Sequence, residues 1–325
     1  MKVALIDVDG HNFPNLPLMK LSAYHKQKGD SVEWYEPLFS QDIDICYMSK
    51  VFTFTPDYQF PINAKEIKKG GTGYFYPDGG EPLPYEIEHI YPDYSIYYDK
   101  IPEVKDTAYG FLTRGCPRGC NFCIVEKKEG RKSCKVANLS EFWNGQKNIV
   151  LLDPNLFACK QWPELTEQLI KSKAYIDFSQ GCDIRILNDD MINAIKQMKI
   201  KTIHFAWDKY EDKDFIIPKF EKFKKITQWD KRKLIVYVLT NYNTTHEQDL
   251  ERIYTLRNLG YWPYVMIYEK EKLPQGHITR QLQRYVNMRA IFENVKSFDD
   301  YKKHGTDNQF NYFCSSLFVD SSYSF

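Results

Sequence analysis

The chain has 325 residues, which is enough for one large or two ordinary domains with a substantial core. Its 44 Lys and Arg residues nearly balance 43 Asp and Glu residues, so the composition does not indicate a nucleic-acid-binding protein. No stretch approaches the ~20 apolar residues of a membrane span, and the apolar run at the N-terminus breaks at Asp7, unlike a signal peptide. We therefore expect a cytoplasmic protein, whose clustered cysteines bind metal or take part in catalysis rather than form disulfides.

The first part of the chain, residues 1–105, is predicted to be a small Rossmann-like α/β domain followed by a linker. A helix over Leu16–Lys28 lies between short apolar strands at Lys2–Asp7, Ser31–Tyr35 and Ile43–Tyr47. Residues 70–84 are then rich in Gly and Pro, which is typical of a loop at a domain boundary.

Residues 106–300 show a regular alternation of strands and helices, and residues 301–325 form a C-terminal tail. The strands are predicted at Tyr109–Thr113, Ile149–Leu152, Tyr175–Ser179, Thr202–Ala206, Leu234–Leu239 and Tyr264–Tyr268. Helices are predicted at Glu164–Lys173, Asp190–Met198, Thr245–Leu259 and Gln281–Val295. Six alternating strands predict a parallel sheet, either open or curled into a partial barrel. The tail, with aromatic residues over Asn308–Phe325, either covers the barrel mouth or is partly disordered.

Polar groups follow nearly every one of these strands. Ligands of parallel sheets gather at the carboxyl ends of the strands, so we expect a site at this edge. The segments there include a cysteine loop, Asp153–Asn155, Gln180–Arg185, Asp208–Glu211 and Asn241.

The cysteine loop contains Cys116, Cys120 and Cys123, with gaps of three residues and then two. One short loop can fold three such thiolates around a single metal centre. Closed zinc sites and ordinary four-iron clusters take four protein ligands, so three thiolates indicate either a missing ligand or an open position. Cys134 is the obvious fourth ligand of a zinc site. The alternative is a four-iron cluster with one iron open to a small molecule.

The cysteine spacing, with Phe122 just before the last cysteine, resembles the signature of the radical S-adenosylmethionine (radical SAM) superfamily. This resemblance implies a partial (β/α)6 TIM-like barrel and a [4Fe-4S] cluster held by Cys116, Cys120 and Cys123. It also implies that the cluster cleaves SAM reductively to a 5′-deoxyadenosyl radical, which abstracts hydrogen from an unknown substrate.

The resemblance extends to residues that would bind SAM. It implies that Asn155 contacts the methionine amine and Arg185 the methionine carboxylate, a bidentate pairing that suits a guanidinium. The other candidate contacts are Phe122, Gln180, Asp183 and Asn241. Asn155 could equally form a turn, and Arg185 an ordinary salt bridge. Cys182 could face the substrate.

The N-terminal domain is similar to cobalamin-binding domains, which carry an Asp-x-His-x-x-Gly motif after their first strand. Asp9 and His11 match this motif, whereas Pro14 replaces its glycine. We therefore interpret the domain as cobalamin-binding-like but degenerate, with His11 a loop histidine rather than a cobalt ligand.

Three functions remain open at this stage. The leading one is a radical SAM enzyme, and a narrower variant is a cobalamin-dependent radical SAM methyltransferase. The alternative of another class is a zinc-binding interaction module without catalysis. The basic run Lys127–Lys132 is either a solvated loop or a docking patch for reduced flavodoxin or ferredoxin as electron donor.

Overall fold

A computed structural model describes residues 1–10 and 12–304 of the chain, which has a mixed α/β fold with parallel sheets. The chain divides into two compact units. The first comprises Met1–Cys182 and Ile186–Lys201, and the second comprises Asp183–Arg185 and the chain from Thr202 onward. The domain boundaries at 105 and 300 stay predictions. Among the described residues, no helix has the length and apolar character needed to cross a membrane.

The first unit begins with a four-stranded parallel sheet in the order β2-β1-β3-β4, with helix α1 packed on one face. Its elements are β1 (Lys2–Asp7), α1 (Leu16–Gln27), β2 (Ser31–Trp34), β3 (Ile43–Ser49) and β4 (Ala64–Gly70). Asn15 caps α1 by accepting a hydrogen bond from the Leu18 amide, and Leu18 then packs against Val3 and Leu5 of the sheet.

The rest of the first unit contains three parallel strands in chain order and a small antiparallel ribbon. The parallel strands are β5 (Thr107–Gly110), β8 (Asn148–Leu151) and β9 (Tyr175–Phe178), and the ribbon pairs β6 (Thr113–Arg114) with β7 (Cys134–Lys135). The helices are α2 (Tyr85–Glu88), α3 (Val125–Glu129), α4 (Trp162–Ser172) and α5 (Asp189–Gln197).

The second unit also contains three parallel strands in chain order. They are β10 (Lys199–Ala206), which enters this unit at Thr202, β11 (Leu234–Thr240) and β12 (Trp262–Ile267). The helices are α6 (Lys213–Thr227), α7 (His246–Asn258), α8 (Ile278–Asn287), α9 (Arg289–Asn294) and α10 (Phe298–His304). A cluster of Phe205, Phe220, Phe223 and Tyr261 rings fills the space between β10 and α6.

The predicted alternation is confirmed strand by strand, with three differences. The first predicted strand of the alternation ends at Gly110, and Thr113 instead pairs with Lys135 in the β6–β7 ribbon. Helix α6 went unpredicted because Pro218 interrupts its pattern. The single helix predicted over Gln281–Val295 is two helices, because Met288 adopts an extended conformation. The tail over Asn308–Phe325 lies outside the described residues.

Candidate functional site

The cysteine loop follows β6 and returns at β7. The ribbon places Arg114 opposite Cys134, and the Cys116 amide donates to the Gly130 carbonyl at 3.2 Å. Within the loop, the Cys123 amide donates to the Cys120 carbonyl at 2.9 Å. Within the described residues, Cys116, Cys120 and Cys123 form no disulfide, and all three are partly exposed. The loop is therefore closed by backbone contacts at its base while its three thiols remain accessible.

A buried carboxylate reinforces this base. Glu129, with a side chain 9% exposed, accepts hydrogen bonds from the Arg114 guanidinium at 2.9 Å and the Gly115 amide at 3.0 Å. Gly115 has a φ of +86°, and a Cβ there would clash with the Lys132 carbonyl. Glycine is thus required where the chain turns into the loop. Nothing in the sequence singled out Glu129, since it lies within the basic run.

A second buried carboxylate, Asp153, follows β8 and holds the entry to the loop. It accepts hydrogen bonds from the Leu112 amide at 3.1 Å, from the Thr113 hydroxyl at 2.6 Å and from the Thr113 amide. Burial raises the pKa of Asp153 to about 6, although these hydrogen bonds act in the opposite direction. The sequence indicated that a polar group follows this strand, but its role as a clamp emerges only from the structure.

Asn155 is brought to the cysteine loop. Its side-chain Nδ2 donates to the Cys116 Sγ at 3.6 Å, and the residue is only 2% exposed. The Asn155 Oδ1 atom is buried and has no hydrogen-bond partner. The Ser133 hydroxyl, also buried, donates to the Asn155 carbonyl at 3.0 Å and fixes the backbone. Asn155, one of the six predicted SAM contacts, thus lies against the first cysteine of the triad.

The three sulfurs do not form a metal site as they stand. Within residues 1–10 and 12–304, no three His, Cys, Asp or Glu side chains are grouped so as to hold a metal ion. Cys134, the candidate fourth zinc ligand, lies across from Arg114 with an exposed side chain. The donor chemistry still suits a thiolate-bound cluster, because three partly exposed cysteines share one short loop and an unpaired buried amide oxygen lies beside the first of them.

In the second unit, Arg185 lies between two carboxylates. Its Nε donates to Asp183 Oδ1 at 2.7 Å, and its Nη1 donates to Asp212 Oδ2 at 3.1 Å. Burial alone would lower the pKa of Arg185, but the charges of Asp183 and Asp212 hold it above its ordinary value. The guanidinium side chain is 18% exposed, so it stays charged and partly accessible. The predicted salt bridge and a ligand contact are thus compatible at this residue.

The sequence did not reveal the buried ion pair between Arg252 and Asp249 in the second unit. Arg252 is fully buried and donates to the carbonyls of Trp207 at 2.6 Å and Leu239 at 2.7 Å, and to Asp249 Oδ1 at 2.6 Å. It therefore ties the ends of β10 and β11 together. Next to Trp207, burial raises the pKa of half-buried Asp208 to about 6, while Arg185 and Arg252 oppose the shift.

The remaining predicted contacts are placed differently. Gln180 is exposed directly after β9. Asn241 is exposed after β11 with a φ of +61°, and its amide donates to the Tyr268 carbonyl at 2.9 Å. Phe122 is half-buried within the cysteine loop, and Cys182 is 3% exposed. The roles predicted for these residues toward SAM or substrate stay predictions.

Polar side chains at the carboxyl edge of the N-terminal sheet form hydrogen bonds within the protein. The side-chain Nδ2 of Asn15 donates to the Ser49 hydroxyl at 2.8 Å, and the Tyr97 hydroxyl donates to the Asp7 carboxylate at 2.6 Å. His11 lies outside the described residues. The interpretation of this domain as cobalamin-binding-like but degenerate stays a prediction.

The sequence matches no protein family, and no curated protein matches it. Among solved structures, the chain is similar to Streptococcus suis SuiB bound to S-adenosylmethionine, with 11% identity and a TM-score of 0.40 over 59% of this chain and 49% of that one. It is also similar to Streptococcus suis SuiB bound to the precursor peptide SuiA, with 10% identity and a TM-score of 0.39 over 70% of this chain and 55% of that one. The chain thus spans about half the length of SuiB. Likeness at this level does not establish a shared fold, so family membership is left as a proposal.

Proposed function

We propose that this protein is a radical SAM enzyme, in which Cys116, Cys120 and Cys123 hold a [4Fe-4S] cluster and the open iron binds SAM. The observation that carries the proposal is the Nδ2–Sγ contact of Asn155 with Cys116, which leaves a buried Oδ1 atom facing no partner. A ligand with an amino group beside the cysteine loop would satisfy this atom.

When bound, the cluster would supply one electron that breaks the C5′–S bond of SAM, yielding methionine and a 5′-deoxyadenosyl radical that abstracts hydrogen from substrate. This chain's own residues position the parts. Asp153 and Glu129 hold the two ends of the loop, and Asn155 would accept a hydrogen bond from the methionine amine. Arg185, held by Asp183 and partly exposed, would pair with the methionine carboxylate. The parallel strands of both units support the accompanying expectation of a partial (β/α)6 barrel.

The electron is proposed to come from reduced flavodoxin or ferredoxin. Arg118, Lys127, Arg131 and Lys132 are exposed on and just after the cysteine loop, where they form a basic surface. Such a surface attracts an acidic electron carrier and raises its association rate.

Anaerobic reconstitution tests the function. We expect the protein to bind about four iron atoms per chain and, once reduced, to form 5′-deoxyadenosine from SAM. Replacing Cys123 by Ser should abolish both, whereas Cys134→Ser should keep both. Stable zinc binding that Cys134→Ser removes, with no 5′-deoxyadenosine, would instead establish the zinc-binding module. No observation favours the cobalamin-dependent methyltransferase.

A further inference from the structure

Asn155 presents two chemically different ends, and both are buried. The amide Nδ2 lies 3.6 Å from the Cys116 Sγ, and the Oδ1 atom has no hydrogen-bond partner. Buried polar atoms without partners are uncommon in folded proteins, and each one calls for an explanation. At the edge of a proposed ligand site, the simplest explanation is a donor that arrives with the ligand.

The surroundings of Asn155 hold its backbone in place. Its carbonyl accepts hydrogen bonds from the Ser133 hydroxyl at 3.0 Å and the Ala158 amide at 3.2 Å. The next residues, Leu156 and Phe157, are 1% and 2% exposed. The backbone is therefore fixed on both sides, and the side chain of Asn155, which is 2% exposed, lies beside the cysteine loop.

Chemistry decides which end of the amide faces the sulfur. A thiolate that ligates iron can only accept hydrogen bonds, so the donor Nδ2 must face Cys116 and Oδ1 must point elsewhere. Hydrogen bonds to the sulfurs of iron–sulfur clusters favour the reduced form, which carries one more negative charge. Asn155 thus touches both the site of reduction and the proposed site of the ligand.

We propose that Asn155 is a positioning residue that couples SAM binding to cluster reduction, an inference that rests on the proposed function. Its Oδ1 accepts a hydrogen bond from the amino group of SAM. Accepting this bond polarises the amide and strengthens the Nδ2–H···Sγ bond to Cys116. SAM binding then raises the reduction potential of the cluster, and by linkage the reduced cluster binds SAM more tightly.

The experiment is a redox titration of the reconstituted protein, followed by electron paramagnetic resonance with and without SAM. In Asn155→Leu, which keeps the volume and removes both polar ends, we expect the reduced-to-oxidised ratio to fall about tenfold at a given potential. That change equals about 59 mV for a one-electron couple. Asn155→Asp, which puts a charge beside the sulfur, should lower the potential at least as far. In Asn155→Leu the shift on adding SAM should disappear.

Asn188→Asp is the matched control, since Asn188 is an exposed helix cap whose function aspartate also serves. Its potential and its response to SAM should equal those of the unsubstituted protein. A further measurement needs no variant: a SAM analogue without the amino group should leave the potential of the unsubstituted protein unchanged.

The outcomes separate the two proposals. An unsubstituted protein that binds no cluster overturns the proposed function and this inference with it. A cluster that forms and cleaves SAM, but whose potential and SAM response are the same in Asn155→Leu, overturns the inference alone. If neither Asn155 variant folds, an equal shift with SAM and with the deaminated analogue also overturns it.

Discussion

The Asp153 clamp is the contact whose removal should reveal most about the cysteine loop. Its carboxylate satisfies the amides of Leu112 and Thr113, two residues that are themselves fully buried. Asp153→Asn keeps the shape but turns one acceptor into a donor that faces another N–H group. A buried donor left without its acceptor costs about 1–3 kcal/mol, so we expect the free energy of unfolding to fall by about that amount. Asp153→Ala leaves both amides unpaired and should cost roughly 3–5 kcal/mol.

The cost of Asp153→Asn should also depend on pH. Burial raises the pKa of Asp153 from 3.8 in the unfolded chain to about 6 in the folded one, so the folded state binds the proton more tightly. Stability from this group is therefore fully present below about pH 4 and is lost as the pH rises through 6. The shift corresponds to roughly 3 kcal/mol, at about 1.4 kcal/mol per pKa step. Asparagine does not titrate, so the advantage of the wild type over Asp153→Asn should be larger at low pH.

Urea unfolding at about pH 4.5 and at about pH 7.5 measures this difference. The exposed Asp99 provides the control, and the cost of Asp99→Asn is measured at the same two pH values. If the stability advantage of the wild type over Asp153→Asn grew as the pH rises, that result would refute the argument. Such a result would mean that the three hydrogen bonds to the carboxylate outweigh the cost of burying its charge.

Three further predictions concern the supports of the site. Arg252→Met should lower the free energy of unfolding by roughly 3–5 kcal/mol in urea titrations, because it leaves the Asp249 carboxylate buried and unpaired. Gly115→Ala should lower the free energy of unfolding more than Gly130→Ala, and the Gly115→Ala protein should retain less iron. Both glycines have a φ of +86°, but only at Gly115 would a Cβ also clash with a backbone carbonyl. Equal losses would contradict that reasoning. Charge reversal at Lys127 and Lys132 should slow the reduction of the cluster by flavodoxin in stopped-flow measurements, and it should make the rate of that reaction less dependent on salt. The rate of reduction by dithionite should not change.

Much of the fold could be predicted because hydrophobic periodicity marks its buried strands. β8 and β11 are continuous apolar runs, and the structure buries nearly all of their residues. β4 escaped prediction for the opposite reason. It is an edge strand of Lys and Glu residues exposed along most of its length, and it exists through backbone pairing with β3 rather than through its own pattern.

The candidate site was predictable to the extent that it depends on order along the chain. Ligands of parallel sheets gather where the strands end, and this rule singled out Asn155 after β8 and Arg185 after β9 as candidates. The partners of these residues depend on long-range packing. The hydrogen bond between Asp153 and Thr113 joins residues 40 positions apart, and the local sequence around either residue does not predict it.

The closed base of the cysteine loop has a consequence for the protein without iron. Drawing together the ends of a loop of about 15 residues costs roughly 2 kcal/mol of chain entropy. Here the hydrogen bonds of Glu129 and of the β6–β7 ribbon offset this entropy cost in the protein without metal. Zinc fingers, by contrast, fold only when metal pulls their ligands together. Loss of iron from this protein should therefore be a local event, which leaves both units folded and limits any new cleavage by proteases to the residues between Cys116 and Gly130.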